Sequence, residues 1–81
     1  MNTTTIDLGY PINIDGRDVS ILEMRRPRVG DRLAIEKMSA DDAEKEIRFI
    51  ANLCEIAPSE IEKLDMADYL KVQETLASFL S

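Results

Sequence analysis

The amino-acid sequence predicts an α+β fold in which an N-terminal β-hairpin is followed by three to four α-helices. Apolar residues alternate with polar ones along residues 6–14, which is the period of a half-buried strand. From residue 43 onward, apolar residues recur at steps of three and four, which is the period of an amphipathic helix. The dipeptide Asp15-Gly16 follows the alternating segment and is a strong hairpin signal. Strands followed by a run of helices are typical of the α+β class.

The length of the chain indicates how it is organised. Eighty-one residues support one domain, and the sequence contains no internal repeat, low-complexity segment or linker. We therefore expect a single domain over residues 1–81, with a hairpin part at 1–26 and a helical part at 31–81. A domain of this size has a total stability of roughly 4–12 kcal/mol, which leaves little room for a deep, strained active site.

The first strand is predicted over residues 6–14. Pro11 has no amide hydrogen to donate to a neighbouring strand, so we expect this strand to lie at an edge or to be interrupted there. Asp15 and Gly16 tolerate the positive φ values that tight hairpin turns require. The return strand is predicted over residues 19–24, and together the two strands form the hairpin.

Two registers remain open for this hairpin. A two-residue loop pairs Ile12 with Val19 and Tyr10 with Ile21. A four-residue loop instead pairs Ile14 with Val19 and Ile12 with Ile21. Both registers place Val19 and Ile21 on the same apolar face, so we expect these two side chains to point towards the core.

The other face of the return strand carries Leu22 and Met24. Because side chains of a strand alternate between its faces, these two residues are expected to point away from Val19 and Ile21. A bare hairpin is only marginally stable in water. We therefore expect helices, or another chain, to cover Leu22 and Met24.

Helical signals begin after Pro27, which ends the second strand. A short helix is predicted over residues 31–38 and carries Leu33. Ser39 is the expected N-cap of the next, longer helix. Pro58 breaks that helix and starts a short helical turn, and the last helix is predicted over residues 66–80.

Both longer helices are amphipathic. In the first of them the apolar stripe consists of Ala43, Ile47, Ile50, Ala51 and Cys54, widened by Phe49, Leu53 and Ile56. In the last helix a broad face consists of Met66, Tyr69, Leu70, Gln73, Leu76, Phe79 and Leu80, with Val72 at its edge. These faces are expected to supply most of the core.

Charge is distributed unevenly along the chain, whose formal net charge is -6. Acidic and basic residues balance over residues 1–32, so the acidic excess lies in residues 33–81. Such a body repels phosphate, and nucleic acid is therefore not an expected partner. One basic cluster offers a secondary partner patch, although pairing with neighbouring carboxylates is the favoured interpretation. The cluster consists of Arg25, Arg26, Arg28 and Arg32.

The sequence offers no catalytic constellation. It lacks His, the commonest general base, so a Ser-His or Cys-His arrangement is excluded. Cys54 lies in an apolar helical stripe and is interpreted as a small core residue. Acidic pairs fall in predicted first helical turns, where the helix dipole favours them: Asp41 and Asp42, Glu60 and Glu62, Asp65 and Asp68. We predict a protein that is not an enzyme and has no catalytic residues, no metal site and no cofactor.

The cysteine content and the N-terminal segment indicate the cellular compartment of the protein. A lone cysteine forms no intramolecular disulfide, and the segment Met1–Asp7 lacks the basic and apolar regions of a secretory signal. No apolar run approaches the roughly 20 residues that a membrane-spanning helix needs. We expect a soluble, intracellular protein with no membrane partner.

Protein association remains as the favoured class of function. The two longer helices and the hairpin carry more apolar residues than a small domain readily encloses, although packing against one another is the simpler interpretation. We predict a client-binding groove between the two longer helices. Its candidate residues are Phe49, Leu53, Tyr69, Val72 and Phe79.

Two segments carry the most specific residue combinations. One is the junction Arg26-Pro27 followed by Gly30-Asp31, and the other is the break Asn52-Leu53-Cys54-Glu55 followed by Pro58. With the surrounding residues, over nearly the whole chain, they resemble the small tail assembly chaperones of Mu-like and related contractile-tailed bacteriophages.

The resemblance implies a non-enzymatic chaperone that binds and solubilises the phage tape measure protein during tail morphogenesis. It also implies that the protein acts in the host bacterial cytoplasm and does not enter the mature virion. The tail tube protein and a second copy of the chain are further candidate partners. An alternative function, independent of the resemblance, is a small regulatory or nucleic-acid-binding module that uses the arginine cluster at residues 25–32.

Overall fold

A computed structural model describes residues 3–81, in which two strands precede four helices. The elements are β1 (Thr3–Ile14), β2 (Arg17–Arg25), α1 (Val29–Glu36), α2 (Asp42–Cys54), α3 (Pro58–Ile61) and α4 (Met66–Phe79). The predicted α+β fold, with a hairpin followed by helices, is confirmed. Met1 and Asn2, which belong to the predicted hairpin part, lie outside the described residues.

The hairpin turn consists of two residues. Ile12 pairs with Val19 across the antiparallel ladder, and the chain reverses at Asp15 (φ 51°) and Gly16 (φ 82°). Positive φ at both central residues gives the turn a twist that matches the twist of the strands. The Gly16 amide also donates to Asn13 Oδ1 at 3.1 Å. The two-residue register is therefore correct next to the turn, and the four-residue loop is wrong.

The ladder is interrupted further from the turn, between Asp7 and Ile12. Asp7 pairs with Ile21, whereas Ile12, five residues further along β1, pairs with a residue only two positions before Ile21. The strand β1 therefore carries three extra residues at this point. This segment contains Pro11, as predicted, but the predicted pairing of Tyr10 with Ile21 is wrong.

Because of this interruption, the side chains of β2 that face the core differ from the predicted ones. An odd number of extra residues changes which set of side chains faces the core. Leu22 pairs with Ile6, and both side chains are buried together with Met24, whereas Ile21 is 48% exposed. The prediction for Ile21 is therefore wrong, and Val19 is half-buried. As expected, helices cover Leu22 and Met24, which lie in the core shared with α2.

The core lies between the hairpin and helices α2, α3 and α4. Burial of these apolar side chains supplies the main driving force for folding. They are Ile6, Leu8, Ile12, Leu22, Met24, Ile50, Ala51, Leu53, Cys54, Ile61 and Val72.

Aspartates define the beginnings of the first two helices. Asp41 is the N-cap of α2, because its Oδ1 accepts the Glu44 amide at 2.8 Å. The predicted cap at Ser39 is wrong, since an aspartate of equal capping strength stands directly before the first helical residue. Helix α1 begins two residues earlier than predicted, and Asp31 Oδ2 accepts the Arg28 amide at 2.8 Å.

Helix α2 ends in a left-handed residue. Glu55 has φ 57° and ψ 42°, and the next amide, that of Ile56, donates to Ala51 O at 3.1 Å. This arrangement satisfies carbonyl groups at the end of the helix, and glycine is the residue that most often occupies such a position. A side chain there costs roughly 1–2 kcal/mol through its contact with the backbone.

Glycine at position 55 should therefore stabilise the fold. After allowance for the greater flexibility of glycine in the unfolded chain, we expect Glu55→Gly to raise the free energy of unfolding by about 0.5–1 kcal/mol. Urea denaturation followed by circular dichroism measures this change. The matched control is Glu62→Gly, because Glu62 is the C-cap of α3 and has an ordinary φ of -64°. Glycine gains nothing at such a φ and is more flexible in the unfolded chain, so this variant should be less stable than the wild type. A loss in both variants would contradict the left-handed assignment.

Asp68 of α4 fixes the interrupted part of β1. Its side chain is 1% exposed, and its two carboxylate oxygens accept the amides of Gly9 at 2.8 Å and Tyr10 at 3.0 Å. Lys71 Nζ lies 3.4 Å from Asp68 Oδ1 and also donates to Asp7 O at 3.1 Å. The Gly9 hydrogen bond, helped by Tyr10 and Lys71, holds the pKa of Asp68 below its usual value despite burial. This acid lies in the predicted first turn of its helix, but it also joins α4 to β1.

Candidate functional site

An open groove of about 460 Å³ lies between α1, the N-terminal half of α2 and the C-terminal end of α4. Among its apolar lining residues, Ile35 is buried, and Phe49 and Leu76 are half-buried. Val29 and Leu80 also line it, and they are 78% and 69% exposed. Large apolar side chains that remain exposed around a concave surface are typical of a binding site.

Each of the three helices contributes pairs of residues to the groove that are one helical turn apart. Side chains four residues apart lie on the same face of a helix, so each pair forms part of one wall. The pairs are Arg32 and Glu36 on α1, Lys45 and Phe49 on α2, and Leu76 and Leu80 at the end of α4.

Three cations line this groove. Arg28 is the N-cap of α1, Arg32 lies in the middle of α1, and Lys45 comes from α2. Within residues 3–81, none of the three forms an ion pair with a carboxylate of the chain. These cations are therefore available to a bound molecule.

Glu46 links α2 to α4 beside the groove. Its Oε1 accepts the Tyr69 hydroxyl at 2.5 Å and the Gln73 side-chain amide at 2.8 Å. Burial, together with the hydrogen bond and charge of Glu46, raises the pKa of Tyr69 above its usual value. Tyr69 therefore keeps its proton and remains a hydrogen-bond donor to Glu46.

The five apolar residues predicted to bind a client do not lie together in one surface. Leu53 and Val72 lie in the core and expose at most 1% of their surface. Tyr69 and Phe79 are half-buried and pack against that core. Phe49 is half-buried as well, and it lines the groove. Of the five predicted residues, Phe49 is the one that the structure places in the groove.

Arg25 is bound to a carboxylate of its own chain. Its two terminal nitrogens donate to Asp31 at 2.8 and 2.9 Å in a bidentate pair. The hydrogen bond from Arg25 is the main cause that lowers the pKa of Asp31 to about 2, and the Arg28 amide adds to the effect. For Arg25, pairing with a neighbouring carboxylate, the favoured interpretation of the arginine cluster, is confirmed.

The other three arginines of the cluster have different surroundings. The guanidinium of Arg26 lies 5.3 Å from the centre of the Phe79 ring, within range of a cation–π interaction, and donates to Phe79 O at 3.3 Å. Arg28 and Arg32 line the groove. The cluster therefore does not form one patch, because two of its members bind neighbouring groups of the fold and two face the groove.

Several groove residues were not candidates in the sequence analysis. Val29, Ile35, Lys45 and Leu80 acquire their role only because α1 packs beside α2 and the end of α4. A short helix such as α1 carries too few apolar residues for its periodicity to show which face is buried. The one local signal was an apolar residue, Val29, that stands between Arg28 and Gly30 and shortly after Pro27.

In residues 3–81, no group of three or more His, Cys, Asp or Glu side chains is placed to hold a metal ion. No helix of that part of the chain has the length and apolar character needed to cross a membrane. Cys54 is buried, as predicted, and burial raises its pKa to about 11, so the thiol stays protonated at neutral pH.

Comparison with known protein families identifies a match over nearly the whole chain. A family model described as phage tail assembly chaperone proteins, E, or 41 or 14, matches residues 5–81. No curated protein and no solved structure matches the chain. The matched region covers all four helices of the described chain and both strands of the hairpin, except Thr3 and Thr4 at the start of β1. The family that the sequence resembles is thus confirmed, and the chain belongs to the phage tail assembly chaperone family.

Proposed function

We propose that this protein is a non-enzymatic chaperone that binds and solubilises the tape measure protein while the phage tail is assembled. Membership of the tail assembly chaperone family supports a role in that process. The observation that carries the proposal is the apolar groove, whose edges expose Val29 and Leu80. The proposed place of action is the host bacterial cytoplasm, and the proposed end of the interaction is release before the virion is complete.

The groove suits a helical segment of the client. An amphipathic helix binds such a groove by inserting apolar side chains that recur every three or four residues. Phe49 and Leu76 would contact these side chains inside the groove, and Val29 and Leu80 would contact them at its edges. A long helical client whose apolar stripes are covered in this way is protected from aggregation.

The acidic character of the protein supports the same function. A formal charge of -6 on each bound copy keeps the complexes dispersed by mutual repulsion. Several copies on one client also add avidity, so each single contact can remain weak and reversible. Because tube subunits later polymerise around the same client, the tail tube protein is the second proposed partner.

Polar substitutions at the edges of the groove test this function. We expect Val29→Gln and Leu80→Gln each to weaken binding of the tape measure protein by about tenfold, since each removes a large apolar side chain from the interface. The measurement is the fraction of tape measure protein that stays soluble when the two proteins are co-expressed, followed by titration of the purified pair.

Matched controls are available on the same two helices. Leu33→Gln on α1 and Leu70→Gln on α4 make a comparable change at exposed apolar residues that do not line the groove. These controls should bind the client normally. If they weaken binding as much as the groove variants, the groove is not the site. If the client is equally soluble with and without this protein, the proposed function itself is wrong.

A further inference from the structure

We propose that the groove selects a helix that carries acidic side chains beside its apolar face. This inference deepens the proposed function and rests on it, because it specifies the chemistry of the client segment. The preferred segment is an amphipathic helix with a stripe of large apolar residues and with Asp or Glu on its flanks. A segment with the same apolar stripe and basic flanks should be rejected.

The charge of the groove differs in sign from the charge of the whole chain. The protein has a formal charge of -6, yet three of the five charged residues that line the groove are cations. They are Arg28, Arg32 and Lys45, and in the described part of the chain each is free of ion pairs. A basic rim on an acidic protein favours the approach of an acidic segment in the correct orientation.

Three cations elsewhere in the described chain are already paired. Arg25 binds Asp31, Lys63 lies 3.1 Å from a Glu60 oxygen, and Lys71 lies 3.4 Å from Asp68. Two of these cations also link the helical part of the chain to β1, since Lys63 donates to Asn13 O and Lys71 donates to Asp7 O. The groove cations have no such partner, so their charge is directed to the solvent or to a bound segment.

The acidic residues of the groove oppose this charge only in part. One of the two, Glu46, already accepts hydrogen bonds from Tyr69 and Gln73 at the same oxygen. Two donors on one carboxylate oxygen offset part of its negative potential. Glu36 is the other carboxylate of the lining. The three unpaired cations therefore dominate the field that an incoming helix meets.

The positions of the cations also predict how the segment lies. Arg28, the N-cap of α1, lies one turn before Arg32, and Lys45 is on α2. The part of the lining that comes from α4 and its C-cap consists of Leu76 and Leu80. We expect the apolar face of the bound helix to contact Leu76 and Leu80 together with Phe49 and Val29. Its acidic flanks should then point towards the walls formed by α1 and α2.

Two synthetic helical peptides test the selectivity directly. They share one leucine stripe, and their flanking residues are all Glu in the first and all Lys in the second. Titrated against the 81-residue protein at low salt, the Glu peptide should bind about tenfold more tightly than the Lys peptide. The difference should shrink as salt is raised, because exposed charge pairs are screened.

Charge-reversal variants assign the selectivity to the groove. The double variant Arg32→Glu with Lys45→Glu should reverse the preference, so that the Lys peptide binds more tightly. The matched control is Arg17→Glu with Arg48→Glu, which changes the net charge by the same amount at exposed residues that do not line the groove. This control should keep the original preference.

The peptide titrations decide whether the groove prefers acidic flanks. Equal binding of the two peptides, tighter binding of the Lys peptide, binding of neither, or loss of the preference in the control variant would overturn it. The proposed function is judged separately by the solubility of the tape measure protein. A protein that solubilises this client but binds both peptides equally keeps the proposed function and loses the inferred selectivity.

Discussion

Replacing Leu53 by Ala will lower the free energy of unfolding by about 2–5 kcal/mol, the usual cost of removing a large aliphatic side chain from a core. Leu53 is 1% exposed and belongs to the main core. A chain of 81 residues has a total stability of roughly 4–12 kcal/mol, so this single change removes a large part of it. Urea denaturation followed by circular dichroism measures the loss.

The control for this variant is Leu70→Ala. Leu70 is a leucine of α4 that is 52% exposed, and its replacement should change the free energy of unfolding by no more than about 0.5 kcal/mol. The comparison also tests the sequence prediction that Leu53 binds a client. A Leu53→Ala variant that is as stable as the control but no longer binds the client would place Leu53 in the interface instead of the core.

Replacing Asp68 by Asn will lower the thermal midpoint at neutral pH by several degrees. The two carboxylate oxygens of Asp68 accept the amides of Gly9 and Tyr10, and an Asn side chain offers only one oxygen. Its amide group would then face one of the two backbone N–H groups, so two donors would oppose each other. The charge that Lys71 contacts would also be lost.

The pH dependence of stability provides a second readout for Asp68. Its pKa in the folded state is lower than its usual value, mainly because it accepts the Gly9 hydrogen bond. Its stabilising effect is therefore fully present above the usual aspartate pKa of about 3.9 and disappears as the pH falls through the lower folded value. Thermal midpoints from pH 6 to pH 2 should converge for the wild type and the variant at the acidic end.

Asp65→Asn is the matched control for this prediction. Asp65 caps α4 by accepting the Ala67 amide, and asparagine is an equally good capping residue, so the thermal midpoint should hardly change. If Asp65→Asn and Asp68→Asn lower the midpoint equally, the link between α4 and β1 contributes no specific stability.

Local signals predicted the elements of the fold correctly. Asp15-Gly16 adopts positive φ at both positions and closes the two-residue turn, which depends only on the conformational preferences of those two residues. The periodicity of α2 and α4 likewise predicted two long helices, because an amphipathic stripe is a property of a single segment. The fold class follows from these elements in their order along the chain.

The faces of the hairpin could not be predicted in this way. The irregularity in β1 is fixed by Asp68, an acid that lies 59 residues away in sequence from Gly9. No local pattern near β1 contains that contact, so regular alternation placed Ile21 on the wrong face. Pro11 correctly marked the interrupted region, but it gave no information about how many residues the interruption adds.

The candidate site was only partly predictable for a related reason. Phe49 was expected at a binding surface and lines the groove, whereas Val72, expected at the edge of a helical face, is fully buried. Which part of an apolar face is covered depends on the helices that pack against it. Val29 and Leu80 lie at the ends of helices, where too few residues remain for periodicity to reveal their exposure.

The hydrogen bonds between Asp68 and β1 also determine when the fold can form. Protein synthesis proceeds from the N-terminus, so the hairpin leaves the ribosome long before α4 does. Until α4 has been made, the buried face of β1 lacks Val72, and its irregular segment lacks the carboxylate that holds it. Contacts so distant in sequence form late, since a long loop must close first. The groove needs the same helix, so this binding site cannot form until α4 has been made.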